Sequence, residues 1–142
     1  MLKVKDIMTK DVIFVEKDTP VFEAMRLMAK NNITGVPVVE DDMTLVGILS
    51  EQDVLRLFHT YRDEKDRTVN NFMSQPAIHF DEEEPLLDVC YRLRDNPIRR
   101  VPVTSQGKVV GIISRSDILK CILQFWDNDT VAVSIATNNT ER

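Results

Sequence analysis

The chain is poor in the residues that carry covalent and metal chemistry. Of its 142 residues, two are cysteine (Cys90 and Cys121) and two are histidine (His59 and His79). None of them forms a CxxC motif or a Cys/His set at metal-ligand spacing, so no metal site is expected. Four glycines leave no Gly-rich phosphate loop of the Walker kind. No apolar run approaches the ~20 residues of a membrane span. Met1-Leu2-Lys3-Val4-Lys5-Asp6 lacks the apolar stretch of a secretion signal. A net charge of -5 disfavours nucleic acid and anionic membranes as partners. No Ser/His/Asp or Cys/His constellation stands out, so no catalytic residue and no catalytic cofactor is assigned. These absences predict a cytoplasmic protein that is not an enzyme.

What is present is repetition. Val36-Pro37-Val38 and Val46-Gly47-Ile48-Leu49-Ser50-Glu51-Gln52-Asp53 return as Val101-Pro102-Val103 and Val110-Gly111-Ile112-Ile113-Ser114-Arg115-Ser116-Asp117. The second copy lies 65 positions on up to Val39 and 64 positions on from Val46. Over residues 46–57, six of the twelve pairs are identical: Val, Gly, Ile, Ser, Asp and Leu. The period is longer than a solenoid unit. It predicts two small subdomains sharing a core: residues 1–65, residues 66–126 and a tail over 127–142.

Each copy reads β-α-β-β-α. Val12 to Val15 is expected as a strand, followed by a helix with Thr19 as N-cap and Pro20 at its first position. Val21, Ala24, Met25, Met28 and Ala29 form its apolar face. Strands follow at 36–39 and 45–49, and Ser50 caps a second helix. In the second copy Ala77 to Phe80 is a strand, and 85–94 is a helix with Leu86, Val89, Cys90 and Leu93 inward. Two strands flank Gln106-Gly107, and a helix runs from about Arg115 to Phe125. Asp127-Asn128-Asp129 should end that helix, leaving a weak strand at 131–136 and a frayed end. Cys90 and Cys121 match Met25 and Leu57, so both are expected as buried thiols. Leu55, Phe58, Leu119, Ile122, Leu123 and Trp126 suit either an intrachain core or a subunit contact.

Two features can carry chemistry. Ser50-Glu51-Gln52-Asp53 and Ser114-Arg115-Ser116-Asp117 resemble capping boxes with Asp in place of Glu. The same geometry suits a ligand, because an Asp carboxylate can accept from a ribose diol and serine hydroxyls can donate to ribose or phosphate oxygens. The second feature is a mismatch: Thr34-Gly35 in one copy is Arg99-Arg100 in the other. The arginines either lie in solvent, pair with Asp95 or a nearby Glu, or hold phosphate with their planar forks.

The β-α-β-β-α order, Gly35-Val36-Pro37-Val38 and the Gly-hydrophobic-hydrophobic-Ser-x-x-Asp runs at 47–53 and 111–117 resemble the CBS domain, named after cystathionine β-synthase. The resemblance covers roughly residues 2–125. It implies an α+β fold of two tandem repeats packed as a pseudo-two-fold pair, with two clefts between them. It also implies a regulatory adenine-nucleotide sensor that forms homodimers and signals to an unidentified protein. A sensor of S-adenosylmethionine and a purely structural dimerisation module are the alternatives. By the resemblance, Asp53 and Ser50 hold ribose in one cleft, Arg99 and Arg100 hold phosphate, and Ala77 and Ile78 contact adenine. The other cleft would combine Ser114, Ser116 and Asp117 with Val12, Ile13, Thr34 and Gly35. Phosphate there would need Lys10 or Arg115.

Overall fold

The computed structural model describes residues 1–55, 57, 67–96 and 99–140, the last twelve by backbone alone. Most of the polar link expected over 59–68, together with Phe58 and Ile98, lies outside the described residues. The first repeat contributes β1 (Val15–Glu16), α1 (Val21–Lys30), β2 (Gly35–Val39), β3 (Leu45–Ser50) and α2 (Glu51–Val54). The second contributes β4 (Phe80–Asp81), α3 (Leu86–Asp95), β5 (Arg100–Ser105), β6 (Lys108–Ser114) and α4 (Arg115–Thr140). Each repeat builds a three-stranded sheet whose first strand runs parallel to the second and whose third is antiparallel. The expected α+β class and element order are present.

The opening strands are shorter than expected and begin later, at Val15 and Phe80. Proline is the reason. The Val39 carbonyl accepts from the Lys17 N–H, so Val39 faces β1. Pro37 lies two residues earlier and faces the same side, since backbone direction alternates along a strand. It has no N–H to donate, and the ladder stops. Pro102 does the same to β4, with the Thr104 carbonyl accepting from Glu82.

Thr19 is not the cap of α1. Pro20 takes that position with an extended backbone (ψ 134°), and the Thr19 hydroxyl instead accepts from the Glu16 N–H at 3.2 Å. Glu84 accepts from the Asp81 N–H in the equivalent turn. Val21, Ala24 and Met28 are buried as expected, whereas Ala29 is exposed. Cys121 is buried and Cys90 half-buried, and burial pushes the Cys90 thiol upward. The long final helix overturns the strand expected at 131–136 and the break at 127–129. No glycine or proline lies between 115 and 140, and Asp, Asn and Val each cost a helix less than about 1 kcal/mol.

The two repeats exchange their leading segments. Val4 packs with Phe80, Val89, Leu93, Val101, Val103 and Ile113 of the second repeat. Val69 and Phe72 pack with Val15, Val21, Val36, Val38 and Leu49 of the first. Backbone bonding follows the same crossing. Thr9 and Ile112 exchange N–H to carbonyl bonds, both 2.8 Å, and Ser74 and Ile48 do so at 2.8 and 3.1 Å. Val4 donates to Glu84, and Val69 to Thr19. Thr44 and Lys108, equivalent positions in the two hairpins, bridge to each other, as a two-fold relation requires.

Charge fastens one of these segments. Lys3 and Lys5 both donate to Glu83, the Lys5 contact at 2.6 Å. The hydrogen bonds from Lys3 and then Lys5 pull the Glu83 carboxyl down from its usual value near 4.5 to about 2. A depressed carboxylate stabilises the fold above its unfolded pKa, and that contribution is lost as pH falls from about 4.5 to about 2. Glu83→Gln is expected to flatten the pH dependence of the melting temperature across that window. Parallel melts of the two proteins between pH 2 and pH 5 check this; identical slopes would refute it.

Candidate ligand-binding clefts

A cavity of about 480 Å³ opens between the repeats. From the first repeat it is lined by Ile13, Thr34, Gly35, Ile48, Ser50 and Asp53. From the second come Ser74, Ala77, Ile78, Arg99, Arg100 and Ile112. Sequence places these groups tens of residues apart; β2 and β5, which start at Gly35 and Arg100, bring them together.

Asp53 performs the capping role and keeps capacity to spare. Its Oδ2 accepts from the Ser50 N–H at 2.8 Å and the Ser50 hydroxyl at 3.0 Å. Its Oδ1 accepts from the Ser74 hydroxyl at 2.8 Å. The Asp53 N–H donates back to Ser50 Oγ at 3.3 Å, closing the capping box. A carboxylate offers about four acceptor positions, so three are used, and a ribose diol needing two must displace the Ser74 hydroxyl.

Neither Arg99 nor Arg100 has an ion-pair partner among the described residues. Asp95, one expected partner, is taken by Arg94 at 3.0 Å. Two guanidiniums thus border the cavity without a direct ion pair among the described residues, with the carboxylates of Glu51 and Asp53 elsewhere in the same lining. Ile13, Ile48, Ile78 and Ile112 supply apolar wall.

A second cavity, of about 550 Å³, holds Ser114, Ser116 and Asp117 together with Thr9, Ile112, Arg115 and the same Arg99 and Arg100. Asp117 repeats the pattern of Asp53: Ser114 N–H at 2.9 Å and Ser114 hydroxyl at 3.0 Å on Oδ2, and the Thr9 hydroxyl at 3.2 Å on Oδ1. Ile13, Thr34 and Gly35, grouped with Asp117 in the sequence expectation, line the first cavity, and Val12 lines neither.

The sequence model of the CBS domain matches residues 4–60 and again 69–124. The chain belongs to the CBS domain family. The CBS pair is 31% identical over 123 residues to the uncharacterized protein MJ1225 of Methanocaldococcus jannaschii, covering 87% of this chain and 44% of that relative. It thus spans less than half of the relative's length. Its fold matches CBSX2 of Arabidopsis thaliana, solved in complex with AMP, with a TM-score of 0.79, 29% identity and coverage of 88% and 98% of the two chains. It also matches the CBS domain pair of protein MJ0100, solved with 5′-methylthioadenosine and S-adenosyl-L-methionine: TM-score 0.70, 29% identity, 86% and 96% coverage.

Within this CBS pair, the two cations expected to serve the Asp117 cavity part ways, since Arg115 lines it. Lys10 borders neither cavity. The Arg115 guanidinium donates to the carbonyls of Leu93, at 3.1 Å, and Asn96, which closes the end of α3. Thr9 and Ser74 were not singled out from sequence. The signal was present: they are hydroxyl residues at equivalent positions, 65 apart, ahead of the opening strand of each repeat. No helix of the described residues is long and apolar enough to cross a membrane.

Proposed function

We propose that the pair is a regulatory module that binds an adenine nucleotide in the Asp53 cavity. The observation that carries this is the pair of guanidiniums, Arg99 and Arg100, held in no ion pair among the described residues and in the same cavity as the Asp53 carboxylate. Phosphate would pair with the arginines, the ribose diol with Asp53, and the base with the apolar wall at Ala77 and Ile78. A volume of about 480 Å³ falls within the ~300–1,000 Å³ of small-molecule sites. The AMP complex of CBSX2 supports the ligand class. S-adenosylmethionine carries a sulfonium cation and suits the arginine side less well than phosphate does. Ligand bridging the two repeats would favour one arrangement of the pair by its differential affinity.

A second reading, a dimerisation module without ligand, is favoured by the exposed face of α4, where Leu119, Ile122, Leu123, Phe125 and Trp126 are 51–68% exposed. One titration separates the two. Calorimetry with AMP, ADP, ATP and S-adenosylmethionine should give heat for the nucleotides. Arg100→Ala should weaken AMP roughly 10–100-fold, the equivalent of about 1.5–3 kcal/mol for a charged hydrogen bond, and leave adenosine unchanged. Absence of heat with all four ligands would favour the dimerisation module. An AMP affinity untouched by Arg100→Ala would refute the assignment of phosphate to the arginines.

A further inference from the structure

Arg99 and Arg100 border both cavities. Each cavity has its own Asp, its own serine cap and its own bridging hydroxyl, but the two cavities have one pair of arginines between them. A third guanidinium, Arg115, lines the Asp117 cavity alone, with its Nε and Nη2 already donating to the main-chain carbonyls of Leu93 and Asn96. We infer that the two cavities are negatively coupled for phosphorylated ligands, because both draw on the same two guanidiniums, and uncoupled for uncharged nucleosides. This rests on the nucleotide reading above and adds to it a rule for filling both clefts.

The physical reason is charge balance. A first phosphate entering the Asp53 cavity takes up the fork of donors that Arg99 and Arg100 present. A second phosphate in the Asp117 cavity then meets guanidiniums already neutralised and an anion on their far side. Its own side offers the Asp117 carboxylate and one further guanidinium, Arg115, part of whose donors are already taken. An uncharged adenosine derivative asks nothing of the arginines, so each cavity accepts it on its own terms. The favoured doubly occupied state holds one nucleotide and one uncharged nucleoside. By linkage, whatever penalty the first phosphate imposes on the second is imposed equally in return.

Calorimetry at low salt with AMP and with 5′-methylthioadenosine as probes tests this. AMP is expected to bind in two steps separated by about tenfold or more, within the 5–150-fold range typical of coupled sites. The gap should narrow at high salt as screening shortens the reach of charge. 5′-Methylthioadenosine should fill both cavities with no salt-dependent gap, and one equivalent should still enter the AMP-saturated chain. Unequal sites without coupling are distinguished by disabling the first cavity. In Asp53→Ala, or in Ile78→Trp should the lost cap impair folding, the Asp117 cavity should bind AMP about tenfold more tightly than it does as the second step in the unaltered chain. Equal affinity in the two settings overturns the coupling while leaving nucleotide binding intact. So does a two-step gap for 5′-methylthioadenosine matching that of AMP. Absence of binding by either probe overturns both the coupling and the function beneath it.

Discussion

Val4→Asp is expected to cost several kcal/mol of stability and to loosen the core built by residues 80–113, not the core built by residues 15–49. Val4 has no exposed surface and is enclosed by Phe80, Val89, Leu93, Val101, Val103 and Ile113. A carboxylate there has no cation within that shell. An uncompensated buried charge typically costs about 3–5 kcal/mol, against a total near 5–15 kcal/mol for a domain. Amide hydrogen exchange measured by NMR locates the damage. Protection should fall first at Val101, Val103 and Ile113 and persist at Val36 and Val38. Val69→Asp should give the mirror result, since Val69 is as fully buried in the first repeat's core. Loosening confined to the first repeat in Val4→Asp would contradict the exchange of leading segments.

The second large effect is at the glycines of the repeated motif. A Cβ on Gly111 would lie 2.5 Å from Met8 Sδ and 3.0 Å from the Thr9 carbonyl oxygen. One on Gly47 would lie 2.8 Å from Met73 Sδ and 2.9 Å from the Ser74 carbonyl oxygen. The methionine can move, but the carbonyl is held, because Thr9 accepts from Ile112 and Ser74 from Ile48. Gly111→Ala and Gly47→Ala are each expected to cost about 1–3 kcal/mol by overpacking, seen as a fall in melting temperature of roughly 3–10 °C. Gly35 is the internal control. Its nearest neighbours would sit 3.5–4.0 Å away, so Gly35→Ala should stay within about 0.5 kcal/mol. Equal losses at all three positions would show that close approach of the crossing segment is not the cause.

Much of this was legible in the sequence because the repeat is strict where packing is strict. The Val-Pro-Val strands, the Ser-Asp caps and the apolar faces of α1 and α3 follow from period and cap chemistry. Asp53, Ala77, Ile78, Arg99 and Arg100 share a cavity because the start of α2 in one repeat meets the segments that lead into β4 and β5 in the other. What escaped lies where tertiary contacts decide. Val4 and Val69 belong to neither a strand nor a long helix, so no periodicity reveals which core they enter. The role of Gly47 and Gly111 depends on a neighbour far along the chain, not on their own backbone angles. The shortening of β1 and β4 needed the direction of one carbonyl, which set the side that Pro37 and Pro102 face. The extent of α4 is not legible because Asp127-Asn128-Asp129 only weakly disfavours a helix. The partition of Thr34 and Gly35 between the clefts depended on how the sheets meet.

The exchanged leading segments bear on how such a chain could be divided. A cut between the repeats would yield two fragments, each carrying a piece the other lacks: Val4 would leave with the first half, and Val69 and Phe72 with the second. Neither fragment would hold a complete core, so folding of each would wait on its complement. The folding unit is therefore the pair, and the two halves, expressed apart, are expected to fold only on mixing.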